Sequence, residues 1–243
     1  MLILAIDTTG ATLSVALLKD QTTLAEIFVN TGDNHSLHLL PAIKQMYGLA
    51  DATPEMTDLF VCTLGPGSFT GVRIGVSTIK GLAMATGKPV VGFSTLEALA
   101  ANMGPFSGTI CPILDAQRGQ IYAAAYEVDD SFIPQLRHET RLTDLESFLS
   151  LLQGNGRVAF LGPGAVKYAD LINAMLPEAI IAPLHYSTVR ASVLGSLGLM
   201  KYHAGEILDS MTFTPLYLRL SEAERKFEMA ENGAISKLTS GTN

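Results

Sequence analysis

Carboxylate, hydroxyl and glycine residues cluster directly after the first apolar segment of the chain. Asp7-Thr8-Thr9-Gly10 follows the apolar residues 2–6 and precedes a second apolar run. A turn of this composition can surround a phosphate with backbone N–H groups, and an aspartate at a strand end can hold a metal ion or its water shell. An ordinary structural turn has the same composition. The cluster is therefore a candidate nucleotide site, with a plain turn as the alternative.

Glycines recur at helical spacing in residues 64–75. Gly67, Gly71 and Gly75 are four residues apart and share one face of a helix predicted over residues 69–86. A glycine inside a helix costs about 1 kcal/mol relative to alanine, so we expect a compensating close approach. The approaching group is a helix of this chain, a helix of a partner, or a phosphate at the helix N-terminus. Packing within the chain alone is the competing interpretation.

Other candidate motifs are incomplete. His35 and His38 are spaced i, i+3 rather than the i, i+4 of a helical zinc pair, with no glutamate between them. Gly162-Pro163-Gly164 could lie against a nucleotide, but the proline removes an N–H donor. The sequence contains no P-loop and no Gly-x-Ser-x-Gly elbow.

The composition favours a compact globular protein with few charged residues. Apolar residues make up 48% of the 243 residues and charged residues only 16%, and leftover apolar surface is often covered by a partner. The formal net charge of −7 gives the chain no general attraction for phosphate backbones, so any role with nucleic acid is expected to run through another subunit. Cys62 and Cys111 lie in apolar runs and are expected to be buried, reduced thiols. We expect a cytoplasmic protein, because neither a signal peptide nor a membrane-length apolar run is present.

Periodicity and capping signals predict alternating strands and helices. Three strands in the first thirty residues should form an antiparallel meander. Residues 94–97 and 143–146 are capping-box patterns, with Ser94 and Thr143 as the N-caps. The predicted strands are 2–6, 13–18, 23–29, 59–64, 90–93, 110–114, 121–128 and 158–161, and the predicted helices are 35–49, 69–86, 94–102, 143–153, 165–175 and 189–203.

A strand–aspartate–turn–strand unit occurs twice, with Asp7 and Asp115 lying 108 residues apart. This repetition predicts two related α/β lobes, residues 1–104 and 105–225, separated near residues 104–108. The last helix is expected to pack back on the first lobe. Residues 226–243 are polar and are expected to form a frayed tail.

Taken together, these motifs resemble the TsaB (YeaZ) family of the actin/hexokinase/Hsp70-like superfamily, along the chain to about Arg225. The most specific motif is LGPGSFTGVRIG at residues 64–75, supported by IDTT (6–9), HS (35–36), LLP (39–41), DAQRGQIY (115–122) and PLYLR (215–219). The resemblance implies two RNase H-like lobes with mixed sheets flanked by helices. Family members often carry Asp-Ala-Arg-Arg where this chain has Gln117 in the third position, which leaves the role of Gln117 open.

The resemblance also implies a function. The chain would be a non-catalytic scaffold or activator that binds TsaD, the catalytic paralogue that forms N6-threonylcarbamoyladenosine at position 37 of tRNAs reading ANN codons. The ATPase TsaE would join the assembly, and tRNA would bind only through the complex. In the absence of TsaD, the chain would form a homodimer through the surface that otherwise binds TsaD. The implied partner-binding residues are His35, Leu39, Leu40, Gly67, Phe69, Thr70, Gly71, Arg73, Ile74 and Gly75.

The same resemblance leaves a degenerate nucleotide site and no catalytic or metal-binding residues. No cofactor should bind tightly to this chain, although ATP or ADP could bind in the assembled complex. The residues of the degenerate site are Asp7, Thr8, Thr9, Asp115, Gly162 and Gly164. One alternative is an actin-like ATPase or phosphotransferase that uses the aspartates and threonines of this set. A glycoprotease-type metalloprotease is a further alternative, for which the residues give no support.

Overall fold

Two five-stranded mixed sheets form the framework of the molecule. The computed structural model describes residues 1–30, 32 and 34–218. The first sheet has the order β3-β2-β1-β4-β5, with β1–β3 antiparallel and β4 and β5 parallel to β1. Its strands are β1 (Leu2–Asp7), β2 (Thr12–Lys19), β3 (Thr22–Asn30), β4 (Leu59–Thr63) and β5 (Val90–Phe93). The meander predicted for the first thirty residues is confirmed.

The second sheet repeats the first strand for strand. Its order is β10-β9-β6-β7-β8, again with one antiparallel meander and two parallel strands. Its strands are β6 (Phe106–Asp115), β7 (Gln120–Val128), β8 (Pro134–Asp144), β9 (Val158–Leu161) and β10 (Ile180–Ile181). The predicted fold class, two related α/β lobes with mixed sheets, is confirmed. The tetrapeptide LGPG lies directly after β4 at residues 64–67 and begins at the last residue of β9 at residues 161–164, a repeat signal that our sequence analysis did not use.

Seven α-helices and two short 3₁₀ turns complete the described part of the chain. α2 begins where Ser68 Oγ accepts a hydrogen bond from Gly71 N, and it ends at Gly87, whose φ of 67° is left-handed. The helices are α1 (His35–Leu49), α2 (Phe69–Thr86), α3 (Thr95–Asn102), α4 (Leu145–Ser150), α5 (Pro163–Lys167), α6 (Ala169–Met175) and α7 (Ala191–His203), and the 3₁₀ turns are Pro54–Met56 and Leu184–Tyr186.

The sequence predictions were wrong at four places in the second lobe. β6 begins at Phe106, inside the segment taken as the lobe boundary. β8 was not predicted, because it is an exposed edge strand whose charged side chains hide the period of two. Asp144 rather than Thr143 caps α4, since its carboxylate accepts from Ser147 N. The helix predicted over residues 165–175 is two short helices, α5 and α6, that meet at Tyr168.

α3 and α7 lie between the two sheets. α7 packs on β1, β2, β4 and β5 of the first sheet, while α3 packs on β6, β7 and β8 of the second. The glycines of α7 permit this approach: a Cβ at Gly195 would meet Leu18, and one at Gly198 would meet Val61. One buried hydrophobic cluster therefore includes residues of both sheets and of both helices. The predicted lobe limits, residues 1–104 and 105–225, stay a prediction. The predicted tail, residues 226–243, lies outside the described residues.

Both cysteines are free and buried, as expected. Burial raises the pKa of the Cys62 thiol to about 12 and raises the pKa of Cys111 as well, so neither is a reactive thiolate at neutral pH. Within the described residues, none of the helices is long and apolar enough to cross a membrane.

Candidate functional site

The turn between β1 and β2 lies against the glycine face of α2. Thr8 Oγ1 donates to the carbonyl oxygen of Gly71 at 2.7 Å, and Ser68 N donates to the carbonyl oxygen of Thr9 at 2.8 Å. A Cβ at Gly67 or Gly71 would lie closer than 3.0 Å to a backbone carbonyl oxygen of this turn, and one at Gly75 would collide with Thr8 Oγ1. The glycines are thus explained by packing within the chain, which was the competing interpretation.

Asp7 is almost fully buried beneath this turn. Its Oδ1 accepts hydrogen bonds from Thr63 Oγ1 at 2.5 Å, from Thr9 Oγ1 at 2.8 Å and from Thr9 N at 3.3 Å. Burial raises the pKa of Asp7 above its ordinary value, against the lowering effect of the hydrogen bonds from Thr63 and Thr9. In this structure Asp7 holds the turn in place.

Asp7→Asn should stabilise the protein at neutral pH. Because the folded-state pKa is raised from 3.8, the wild-type contribution of this carboxyl is most favourable below pH 3.8 and is lost as the pH rises through the folded pKa. Asparagine cannot ionise, and its Oδ1 can accept the same hydrogen bonds.

Urea unfolding of both proteins between pH 4 and pH 7 measures the effect. The advantage of the Asp7→Asn variant should grow with rising pH. A stability difference that does not change with pH would contradict burial as the dominant influence on Asp7.

Asp115, the counterpart of Asp7 in the second lobe, is engaged by basic and phenolic groups. Lys167 Nζ lies 2.7 Å from its Oδ2, and Tyr168 Oη donates to its Oδ1 at 3.1 Å. Partial burial raises the pKa of Asp115. The hydrogen bonds from Lys167, Gln117 N and Tyr168 outweigh this effect and hold the pKa below its usual value. The carboxylate is therefore ionised, and it forms an ion pair with Lys167 at the surface of the protein.

The glycine loop of the second lobe packs against its own strand β6. A Cβ on Gly162 would approach the Ile113 carbonyl oxygen, and one on Gly164 would meet the Ile113 side chain, both closer than 3.0 Å. Gly162 N also donates to Ser187 Oγ at 3.1 Å. Like the turn at Thr8 and Thr9, this part of the predicted nucleotide site is occupied by internal contacts.

The two histidines of α1 have different environments. His35 is buried, and its Nε2 lies 2.8 Å from the carbonyl oxygen of Gly10, so it secures the start of α1 to the β1–β2 turn. His38 is exposed. A shared metal site was not expected from their spacing, and this arrangement gives it no geometric basis.

Several large apolar side chains of α1 and α2 are exposed to solvent. Leu37 is 68% exposed and Leu40 is 61% exposed. α1 and α2 are in contact with each other. We define the outer face as the exposed Leu37, Leu40, Thr70 and Arg73 together with the half-buried Phe69 and Ile74.

Comparison with known proteins identifies the family. A family model described as "TsaD: tRNA N6-adenosine threonylcarbamoyltransferase" matches residues 24–226. The tRNA threonylcarbamoyladenosine biosynthesis protein TsaB of Bacillus subtilis is 38% identical over 229 residues, covering 93% of this chain and 98% of the relative. The chain belongs to the TsaB family. The TsaB of Haemophilus influenzae is 31% identical and covers 89% of this chain and 93% of its own length.

Solved structures agree with the TsaB assignment. YeaZ from Pseudomonas aeruginosa superposes with a TM-score of 0.77 at 25% identity, covering 89% of this chain and 99% of that chain. The fold implied by the resemblance, two lobes with mixed sheets flanked by helices, is therefore confirmed.

The partner-binding residues predicted from the TsaB resemblance differ in exposure. His35, Leu39, Gly71 and Gly75 are buried in the isolated chain, and Gly67 faces Thr9. Partner contact by these five residues stays a prediction, and the outer face is defined without them. Leu40, Phe69, Thr70, Arg73 and Ile74 remain predicted contact residues.

Our sequence analysis missed two residues of this region. Leu37 was not selected, although it is three residues from Leu40 on the same helix and is more exposed. Tyr217 packs its ring against Phe69, with centroids 5.2 Å apart. The PLYLR motif that contains Tyr217 was noted only as a family signature, and its Arg219 lies outside the described residues.

Proposed function

We propose that this chain is a non-catalytic activating subunit in the biosynthesis of threonylcarbamoyladenosine in tRNA. It binds the catalytic paralogue, a TsaD-type transferase, through the outer face of α1 and α2. Membership of the TsaB family, whose curated relatives are named for this biosynthesis, supports the pathway.

The exposed leucines of α1 carry the proposal. A side chain such as Leu37 gains roughly 1.5–3 kcal/mol when it is moved from water into an apolar contact. Leu37 and Leu40 are more than half exposed on α1, and α1 contacts α2, which carries the exposed Arg73; exposed apolar and arginine side chains on adjacent helices favour a protein partner.

The internal bonding of the two aspartates supports a non-catalytic role. A nucleotide-processing site in this fold would need carboxylates that are free to hold a metal ion or its waters. Asp7 accepts three hydrogen bonds from Thr9 and Thr63, and Asp115 forms a surface ion pair with Lys167. The ATPase or phosphotransferase alternative requires these contacts to break.

Other components of the assembly follow from the same proposal. A TsaE-type ATPase joins the complex, and ATP or ADP binds there rather than tightly to this chain. The net charge of −7 favours tRNA contact through the other subunits. In the absence of the transferase, two copies of the outer face associate as a homodimer. The reaction takes place in the cytoplasm.

Sedimentation of this chain with the transferase of the same organism tests the proposal. We expect a one-to-one complex and no ATP turnover by the isolated chain. A failure to form the complex, together with ATP hydrolysis that is lost in Asp115→Asn, would instead favour the stand-alone enzyme.

A further inference from the structure

The end of the described chain runs alongside α2, from β5 to the loop after β4. We define residues 206–218 as the C-terminal strap. Leu208 N donates to the Val90 carbonyl oxygen at 2.8 Å, and Leu216 N donates to the Leu64 carbonyl oxygen at 2.7 Å. Between them the Phe213 side chain is buried in the core under α2, and its carbonyl oxygen accepts from Lys80 Nζ. The strap is thus attached along its length, and it brings Tyr217 to the first turns of α2.

Tyr217 and Phe69 together hold the guanidinium group of Arg73. The guanidinium carbon lies 3.8 Å from the Phe69 ring centroid and 5.5 Å from the Tyr217 ring centroid. Arg73 Nε donates to Tyr217 Oη at 2.7 Å. A flexible side chain is therefore fixed in one plane by two aromatic rings and one hydrogen bond.

No described residue forms a hydrogen bond or an ion pair with the terminal nitrogens of Arg73. In residues 1–30, 32 and 34–218 Arg73 makes no ion pair, whereas the guanidinium of Arg190 pairs with Glu26 and that of Arg137 with Glu127. A planar guanidinium presents paired N–H groups that match the two oxygens of a carboxylate. Because the group is already oriented, less side-chain entropy is lost on binding.

We propose that Arg73 is an anchor that binds a carboxylate of the partner protein, and that Tyr217 is the positioning residue that aims it. This inference rests on the proposed function, because it places the carboxylate on the transferase surface that meets the outer face. It assigns the C-terminal strap, which is distant in sequence from α1 and α2, to the same interface.

A protein carboxylate fits the surroundings better than a nucleic-acid phosphate. Phosphate backbones are bound by several cations arranged in a patch or stripe, and the chain is acidic overall with a net charge of −7. Next to Arg73 lie Phe69, Tyr217 and the half-buried Ile74. Arginine among aromatic residues is the composition of a protein–protein hot spot.

Dissociation constants for the transferase, measured at several salt concentrations, test this inference. Arg73→Gln should weaken binding roughly 30-fold or more and reduce the salt dependence, because a charge pair is lost. Tyr217→Phe keeps the ring but removes the hydroxyl, and it should weaken binding about 5-fold, the size of one hydrogen bond. Arg137→Gln, at an exposed arginine of β8, is the matched control and should change little.

The double variant separates positioning from simple packing. If Tyr217 acts through Arg73, Tyr217→Phe should have almost no effect in an Arg73→Gln background, and melting temperatures of all variants should stay near that of the wild type. Additive losses would overturn the positioning role. If Arg73→Gln reduces tRNA binding by the complex but leaves transferase binding intact, the carboxylate assignment is wrong. Failure of the wild type to bind the transferase would refute the proposed function itself.

Discussion

Replacing Gly71 with alanine should lower the free energy of unfolding by about 2–3 kcal/mol, the usual cost of inserting a methyl group where no space exists. The new Cβ would overlap the backbone carbonyl oxygen of Thr8. That oxygen belongs to a turn tied down by Asp7 and Ser68, so it cannot move aside as a flexible side chain would. Urea denaturation, followed by circular dichroism, measures the change.

Gly81→Ala is the matched control on the same helix. A Cβ at Gly81 would meet nothing within 4 Å, and the position is exposed. Because alanine is the better helix former, this variant should be more stable than the wild type by about 0.5–1 kcal/mol. Equal effects of both substitutions would show that the turn does not press on α2 as described.

Leu37→Glu should weaken binding to the transferase by at least roughly 100-fold, because a charge would be buried without a partner in an apolar contact. Leu40→Glu on the next turn should act in the same direction. Both side chains are largely exposed in the isolated chain, so the substitutions should leave its melting temperature nearly unchanged. Sedimentation velocity and titration calorimetry measure complex formation.

Leu184→Glu separates a specific interface from a general effect of surface charge. Leu184 is 69% exposed, against 68% for Leu37, but it lies in a 3₁₀ turn after β10. The Leu184→Glu variant should bind the transferase as tightly as the wild type does. Equal weakening by Leu184→Glu, or normal binding by both α1 variants, would place the interface away from the outer face.

The bounds of several elements were predictable from local sequence. α1, α2, β5 and β9 begin and end at the predicted residues. Helical periodicity in α1 and α2 and the terminating Gly87 of α2 are local signals, and so are the short apolar runs that form β5 and β9. β8 was not predictable in the same way, since an edge strand with few buried residues has no clear period.

The candidate site was predictable as a region but not in its orientation. Leu37 and Leu39 are the same residue type two positions apart, yet one is exposed and the other buried, because the rotation of α1 depends on the sheet beneath it. The glycine spacing indicated that another part of a chain lies close to this face of α2. Only the fold showed that the approaching residues are Thr8 and Thr9. Tyr217 lies 144 residues from Arg73, beyond the reach of any spacing argument.

The position of α7 has a consequence for how this protein is made. Ile3, Ala5 and Leu18 on β1 and β2 belong to the same buried cluster as Leu194 and Leu197 of α7. During synthesis the first lobe therefore emerges with one side of its sheet uncovered, and it stays so until residues near 203 have left the ribosome. We therefore expect this side of the first sheet to reach its native packing only after α7, which is synthesised late, has left the ribosome.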